Sequence, residues 1–389
     1  MTYLNLSEKL LLTKGALHTA REIAGQPGLW RKTMDKFNRQ SAAIDSFIKQ
    51  ALRESNQIIL TGAGTSAYIG LSLQGVFSNR KKCITRAVAT TDILSHPHYY
   101  FQDGVVPLII SFARSGKSPE SCAALELADK FCKKCFHLII TCNEEGELAN
   151  YQSANPTCVF VLPPEANDKS LAMTGSYSAM LLTGLLMAFN DDPAFCQIQV
   201  ALAIDAAEKI LRQDIQQIQQ IADKNFERAV FLGSGPLFGT ATEAGLKLQE
   251  LTDGQIICKA DTYLGFRHGP KAVIDEKTLV VYFFNNNRYV SQYELDLLPS
   301  MEIGNSALFQ FGISEHRITA NSLQEQIILS DTDRNAPIDE EFLPLCSILP
   351  AQLLAFFKCL QLNGMPDAPS VSGSISRVVE GVNIYRVDS

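Results

Sequence analysis

The chain has 389 residues, 46% of them hydrophobic and 19% charged, with a formal net charge of −7. That length is long for one core and implies two domains, each large enough to bury its own interior. The negative balance excludes a general nucleic-acid or anionic-membrane surface, so an anionic ligand would need positive potential supplied locally.

Met1–Glu8 shows neither a basic leader nor a signal-type apolar core. Residues 1–40 read as a helical segment, with Pro27 and Gly28 interrupting it before a new helix from about Leu29. Short β-branched runs then alternate with helical patterns: Gln57–Thr61, Cys83–Ala89, Val106–Phe112, His137–Thr141 and Thr157–Leu162. Such alternation indicates a parallel sheet covered on both faces. A long helical region follows, about Thr174–Asn190 and Ala194–Lys224. Its most apolar part, Ala179–Phe189, contains Thr183 and Gly184 and is too short to span a bilayer. A second strand series runs Arg228–Gly233, Ile256–Ala260, Thr278–Phe284, Ala307–Ile313 and Glu325–Ser330. A helix at about Ser347–Leu362 and a Gly/Pro/Ser-rich tail from Asn363 complete the chain.

The reading is α/β, with two doubly wound domains in tandem. Residues 1–40 form a helical lead, 41–205 the first domain, and 206–389 the second domain with its tail. Ten cysteines are scattered through the chain, several in predicted strands (Cys83, Cys142, Cys158, Cys258). They fit buried free thiols in a reducing compartment, and the expected location is cytoplasmic.

Each half begins with a strand that enters a glycine-rich turn and then a helix. The first is Ile58–Leu60 followed by Thr61-Gly62-Ala63-Gly64-Thr65-Ser66, and the second is Ala229–Leu232 followed by Gly233-Ser234-Gly235-Pro236. Backbone N–H groups at a helix N-terminus attract phosphate. Thr65 and Ser66 combine with a second hydroxyl-rich turn, Arg114-Ser115-Gly116-Lys117-Ser118, at the end of the third strand. Gly116 lets backbone approach an anion, the hydroxyls donate, and Arg114 and Lys117 supply charge. A plain helix cap explains one such turn; two on neighbouring strands point to a phosphate cradle.

In the second half, Glu243, Lys247 and Glu250 lie at i, i+4 and i+7 of a helix over Leu237–Leu251, within one narrow arc. A solvated ion pair is the commonest fate of such residues. Leu246 and Leu251 flank this arc, however, which suits a half-buried face where a carboxylate beside a lysine acts as general base. His268, in Gly265-Phe266-Arg267-His268-Gly269-Pro270, sits in an exposed turn and can titrate near neutrality. The tail segment Ser372-Gly373-Ser374-Ile375-Ser376-Arg377-Val378-Val379-Glu380-Gly381 reads as a lid or a surface terminus.

Other signals fail. Neither glycine turn has dinucleotide-fingerprint spacing, and Asp92 and Asp261 are weak candidates for a ribose-binding acid. Cys132-x-x-Cys135 lacks a second ligand pair, so zinc is not expected, and His96-Pro97-His98 has too little around it. No Gly-x-Ser-x-Gly elbow supports a serine hydrolase.

Together these residues resemble the SIS (sugar isomerase) family over nearly the whole chain, and are similar to the isomerase half of glucosamine-6-phosphate synthase. The resemblance implies flavodoxin-like SIS domains. Gly64-Thr65-Ser66 matches the family's Cys-Gly-Thr-Ser turn, with Ala63 in the cysteine's place. Arg114-Ser115-Gly116-Lys117-Ser118 matches its Gln-Ser-Gly-Glu-Thr phosphate loop, with Ala113 where a serine is usual and Arg114 as the expected compensation. Glu243-Ala244-Gly245-Leu246-Lys247-Leu248-Gln249-Glu250 matches its Glu-Gly-Ala-Leu-Lys-Leu-Lys-Glu helix. By that match Glu250 is the proton-shuttling base and Lys247 its electrostatic neighbour. His268 matches the ring-opening histidine supplied by the partner subunit of a dimer, which implies a homodimer with shared active sites. Leu171 and Ala172 fall where the family binds sugar through backbone groups, and Arg377 stands at a tail lysine that closes over substrate. Asn167–Ser170, the Thr19–Trp30 segment and the tail resemble the narrower tagatose-6-phosphate isomerase / galactosamine-6-phosphate deaminase subgroup.

The expected chemistry follows. Thr65, Ser66, Ser115 and Ser118 grip a 6-phosphate, His268 helps open the ring, and Glu250 moves a proton from C2 to C1 through an enolamine. Lys247 or Arg377 stabilises charge on O1. Water then releases ammonia from the C2 ketimine to give a ketose 6-phosphate, with no metal or organic cofactor needed. A ketose/aldose isomerase uses the same shuttle on a C2 hydroxyl. A non-catalytic sugar-phosphate sensor is the third reading; such regulators typically carry a DNA-binding domain, and residues 1–40 are too short and insufficiently basic to form one.

Overall fold

A computed structural model describes residues 1–330, 336–379 and 381–387. The chain divides into two compact units that interleave along the sequence: residues 1–27, 169–174 and 194–372 form one, and residues 28–168, 175–193 and 373–389 the other. We call these the C-unit and the N-unit after the position of their sheets. The cuts expected at residues 40 and 205 are linear, whereas the observed ones are not. A single 29-residue helix, Gln26–Glu54, runs through position 40, and the tail beyond residue 372 groups with the N-unit. Pro27 interrupts nothing: it stands in the first turn of that helix, where its missing N–H has no intrahelical partner to lose. The break falls at Gly25, the C-cap of the preceding helix Leu17–Ala24.

The chain opens with a hairpin, β1 (Thr2–Tyr3) and β2 (Leu6–Ser7), that the sequence pattern does not announce. The N-unit sheet contains β3 (Gln57–Gly62), β4 (Ile84–Ala89), β5 (Pro107–Ala113), β6 (Phe136–Thr141) and β7 (Thr157–Val161), all parallel in the order β4-β3-β5-β6-β7. The C-unit sheet contains β8 (Arg228–Leu232), β9 (Ile257–Asp261), β10 (Thr278–Phe283), β11 (Phe309–Ser314) and β12 (Glu325–Ile328). It repeats the arrangement as β9-β8-β10-β11-β12. Both are the doubly wound order 2-1-3-4-5, in agreement with the α/β expectation.

Central strands β3, β5, β6, β10 and β11 are buried along their whole length, which is why they read as unbroken apolar runs. Edge strands β4, β7 and β9 are only partly covered. Of the four cysteines expected to be buried, Cys142 is, whereas Cys83, Cys158 and Cys258 lie on or beside those edges and are half-buried. The helix Leu343–Gln361 is long and apolar enough to cross a membrane by composition alone, but it is almost wholly buried as the core helix of the C-unit, against Pro236–Leu251.

In 2-1-3-4-5 sheets the chain departs in opposite directions from the first and third strands, leaving a crevice at their carboxyl ends. In the N-unit that crevice lies between the turns after β3 and β5, and in the C-unit between those after β8 and β10.

Candidate active site

The N-unit crevice is built by two turns and the helices they open. Gly62 ends β3 where a Cβ would lie 2.6 Å from the Ser66 Cβ, so only glycine allows the chain to fold back so tightly. Gly64, at φ 55°, is the N-cap of the helix Thr65–Lys81. Thr65 and Ser66 stand in the first turn of this helix, 4% and 5% exposed. The second turn leaves β5 through Arg114, Ser115 and Gly116 (φ +62°) to the helix Pro119–Phe131. Ser118 occupies the N-cap but makes no side-chain cap hydrogen bond, which leaves its hydroxyl available. The loop is fixed from behind: Asn143 Nδ2 donates to Ser115 O at 2.8 Å and Leu148 N to Gly116 O at 3.0 Å. Two positive helix ends and four hydroxyls therefore meet at one crevice, an arrangement suited to a phosphate dianion.

Arg114 and Arg377 hold the tail as well as adding charge. Arg114 is 7% exposed, and its Nη2 donates to Arg377 O at 2.7 Å. The Arg377 guanidinium reaches back to Asn167 Oδ1 at 2.8 Å and to Asp168 O through Nε at 3.0 Å. Asp168 in turn accepts from the N–H and hydroxyl of Ser176, at 2.9 and 2.6 Å. Glu380, the tail's acid, lies outside the described residues. Thr61 and Ser111, paired across β3 and β5, add two buried hydroxyls without a hydrogen-bond partner among the described residues. Sequence reading missed them as site residues, although each lies near the carboxyl end of its strand.

In the C-unit, the helix Pro236–Leu251 carries Glu243, Lys247 and Glu250. Lys247 is 1% exposed and stands between both acids: 3.5 Å from Glu243, which is fully buried, and ion-paired with Glu250, whose side chain is 23% exposed. Lys247 therefore neutralises a buried carboxylate and orients an accessible one. Leu171 and Ala172 lie in a loop fastened by Leu171 N to Asp367 O (3.1 Å) and Ser170 Oγ to Ala172 O (3.1 Å). Glu22 accepts from the Lys169 N–H at 2.6 Å and from the Ser170 hydroxyl. His268 is exposed in its turn, beside Gly269 at φ 120°.

One cluster of metal-ligand types occurs among the described residues, formed by Asp129, Cys135 and His137. His137 Nε2 lies 2.7 Å from Asp129 Oδ1, and Tyr151 and Asn155 also donate to this carboxylate, at 2.7 and 2.9 Å. Burial alone would raise the Asp129 carboxyl, but the bonds from His137, Tyr151, Ser153 and Asn155 prevail and hold it at about 2. The other ring nitrogen of His137 is buried with no acceptor among the described residues, so the proton belongs on Nε2. A nitrogen that donates to Asp129 has no lone pair for a metal, and a ligating histidine ordinarily needs a partner on its second nitrogen. The cluster is a hydrogen-bonded closure of the loop after β6.

Comparison with known proteins agrees with this geometry. Residues 51–189 match the SIS domain model. A protein of Shewanella sp. (strain ANA-3) named D-galactosamine-6-phosphate deaminase AgaS is 40% identical over 98% of this chain and 95% of its own length. A solved structure from Clostridium novyi NT, named for tagatose-6-phosphate ketose/aldose isomerisation, superposes with a TM-score of 0.94 at 38% identity, covering both chains fully. A tagatose-6-phosphate ketose/aldose isomerase from Escherichia coli follows at a TM-score of 0.84 and 33% identity, over 96% of this chain and 97% of that one. The fold and the crevice define a SIS-domain protein. Within that class, the chain belongs to the AgaS family.

Proposed function

We propose that the chain is an enzyme that deaminates a hexosamine 6-phosphate, converting galactosamine 6-phosphate to tagatose 6-phosphate and ammonia. The observation that carries this reading is the Glu243–Lys247–Glu250 row, in which a buried lysine presents an accessible carboxylate in the manner a general base requires. The name and 40% identity of the Shewanella relative support the substrate. Thr65, Ser66, Ser115 and Ser118, with the backbone at Gly64 and Gly116, hold the 6-phosphate, and Arg114 adds charge. Leu171 and Ala172 take the sugar through backbone groups. His268 opens the pyranose ring from the partner subunit of a homodimer, a role compatible with its exposure in the single chain. Glu250 removes the C2 proton of the open-chain aldehyde and returns it to C1. The enolamine becomes a C2 ketimine, water adds at C2, and ammonia leaves. Lys247 balances charge as it moves between Glu250 and O1, and Glu243 pairs with Lys247 from the buried side. Arg377 steadies the tail over the crevice. The reaction runs without metal or organic cofactor, in the cytoplasm.

Ketose/aldose isomerisation of tagatose 6-phosphate without deamination is the second reading, supported by the names of the two solved relatives. An ammonia-release assay across hexosamine 6-phosphates decides between them. Release from galactosamine 6-phosphate is expected. Aldose formation from tagatose 6-phosphate with no ammonia from any hexosamine 6-phosphate would establish the alternative.

A further inference from the structure

The N-unit crevice has a counterpart in the C-unit, and the ladder registers fix the correspondence. Thr61 pairs with Ser111 across β3 and β5, and Leu232 with Tyr282 across β8 and β10. Counting on from these pairs, Ala63 corresponds to Ser234, Thr65–Ser66 to Pro236–Leu237, and Arg114 to Asn285. The second crevice has lost donors, because Pro236 has no N–H and Leu237 is apolar and fully buried.

A side chain of the same chain fills the space. Glu294, in the last turn of the helix Arg288–Leu295, is 0% exposed. Its Oε2 accepts the Asn285 N–H at 2.7 Å, and the Ser234 hydroxyl is close enough to lower the carboxyl's pKa. Its second oxygen, Oε1, is buried with no partner among the described residues. The carboxyl thus caps the turn after β10 and lies near Ser234, in the turn that opens the 16-residue helix Pro236–Leu251. We propose that the crevice between the ends of β8 and β10 is a carboxyl-binding site whose resident is Glu294 itself. This internal ligand leaves only one of the two crevices open to phosphate. The occupancy stands on the distances within the C-unit, and only the contrast rests on the phosphate reading of the other crevice.

The electrostatics suit a carboxyl at the limit of ionisation. Burial pushes the Glu294 carboxyl up to about 7, Asn285 N–H and the Ser234 hydroxyl pull it down, and the Glu340 charge pushes it up again. Tyr263 also faces it; burial, and after it the Glu294 charge, raises that phenol, whose hydroxyl donates to Phe283 O at 3.0 Å.

The test is chemical rescue on the full-length protein. Glu294→Ala should lower the Tm by several degrees. Sodium formate should restore at least half of that loss, while sodium chloride at equal ionic strength restores none and wild type gains less than the variant from formate. Equal recovery in both salts, or an Ala variant as stable as wild type, would overturn the proposal. Should Glu294→Ala fail to fold, Ser234→Ala takes its place. It removes one polar group facing the carboxyl, so it should lower the Tm in wild type and leave it unchanged on a Glu294→Met background, where no oxygen acceptor remains. Equal losses in the two backgrounds would count against the site. Because these readouts are thermal, they stay interpretable even if the deaminase reading fails.

Discussion

Gly64 and Gly235 adopt nearly the same backbone, φ 55° and ψ −128° in one, φ 55° and ψ −126° in the other, yet the residues that follow them have opposite character. After Gly64 come Thr65 and Ser66, two hydroxyl residues in the first turn of the helix, where the proposed function places a phosphate. After Gly235 come Pro236 and Leu237, and an internal carboxyl lies at the same place. The two units share one steric solution to a strand–turn–helix junction, which glycine alone satisfies, while the side chains free of that constraint differ. In the proposed mechanism binding and chemistry are divided: the N-unit would offer donors to a phosphate, and the C-unit an acid on the helix that its own turn opens.

The largest effect should come from breaking that division of labour. Glu250→Gln removes the base, so kcat should fall about 10²- to 10⁴-fold with little change in KM. Ser115→Ala removes one charge-assisted hydrogen bond of about 1.5–3 kcal/mol, so KM should rise on the order of 10- to 100-fold. Steady-state kinetics on the two variants checks the contrast. A Glu250→Gln enzyme with most of its kcat would remove the acid–base role from the C-unit, and a Ser115→Ala enzyme with normal KM would remove phosphate from the N-unit crevice.

The shared backbone gives the next effect, and here the units should behave alike. A Cβ on Gly62 would meet Ser66 Cβ at 2.6 Å and the Ser66 carbonyl carbon at 2.7 Å; one on Gly233 would meet Leu237 O at 2.2 Å. Both contacts involve backbone that cannot rotate away. Gly62→Ala and Gly233→Ala should each cost about 1–3 kcal/mol, the range of overpacking in a rigid site, as read by denaturant unfolding. If one substitution were silent and the other severe, the two turns would not be equivalent.

What the sequence made legible follows from the range of the interactions. Central strands appear as apolar runs because they are covered on both faces. The glycine turns appear because their conformation excludes other residues, and Glu243, Lys247 and Glu250 align because helical spacing is local. Features set by distant segments stayed hidden. Nothing near position 377 indicates that Arg377 grips a loop at Asn167–Asp168, or that the tail groups with the N-unit. Glu294 reads as one more polar residue in a short surface helix until the end of β10 supplies its donor. The Asp129 network is similar: its partners come from β6 and from the loop after it, so a Cys-x-x-Cys drew attention to the place without revealing its chemistry.

The smallest effect separates the units by the sign of a pH dependence. Asp129 in the N-unit has a folded pKa of about 2, below its unfolded value of 3.8. Its contribution is therefore present above pH 3.8 and lost as pH falls through about 2. Glu294 in the C-unit is raised from 4.5 to about 7. Its contribution is full below pH 4.5 and lost as pH rises through about 7, because the buried group must then give up its proton. Subtracting the Tm-versus-pH curve of each neutral variant from that of wild type should reveal the two limbs. The Asp129→Asn difference should shrink in acid, and the Glu294→Gln difference should shrink toward neutrality. Each limb should amount to a few degrees, since either carboxyl is a single group in a large chain. Parallel slopes in the two difference curves would mean that burial, and not the donors around each carboxyl, dominates both sites, and the contrast between the open crevice and the filled one would lose its electrostatic basis.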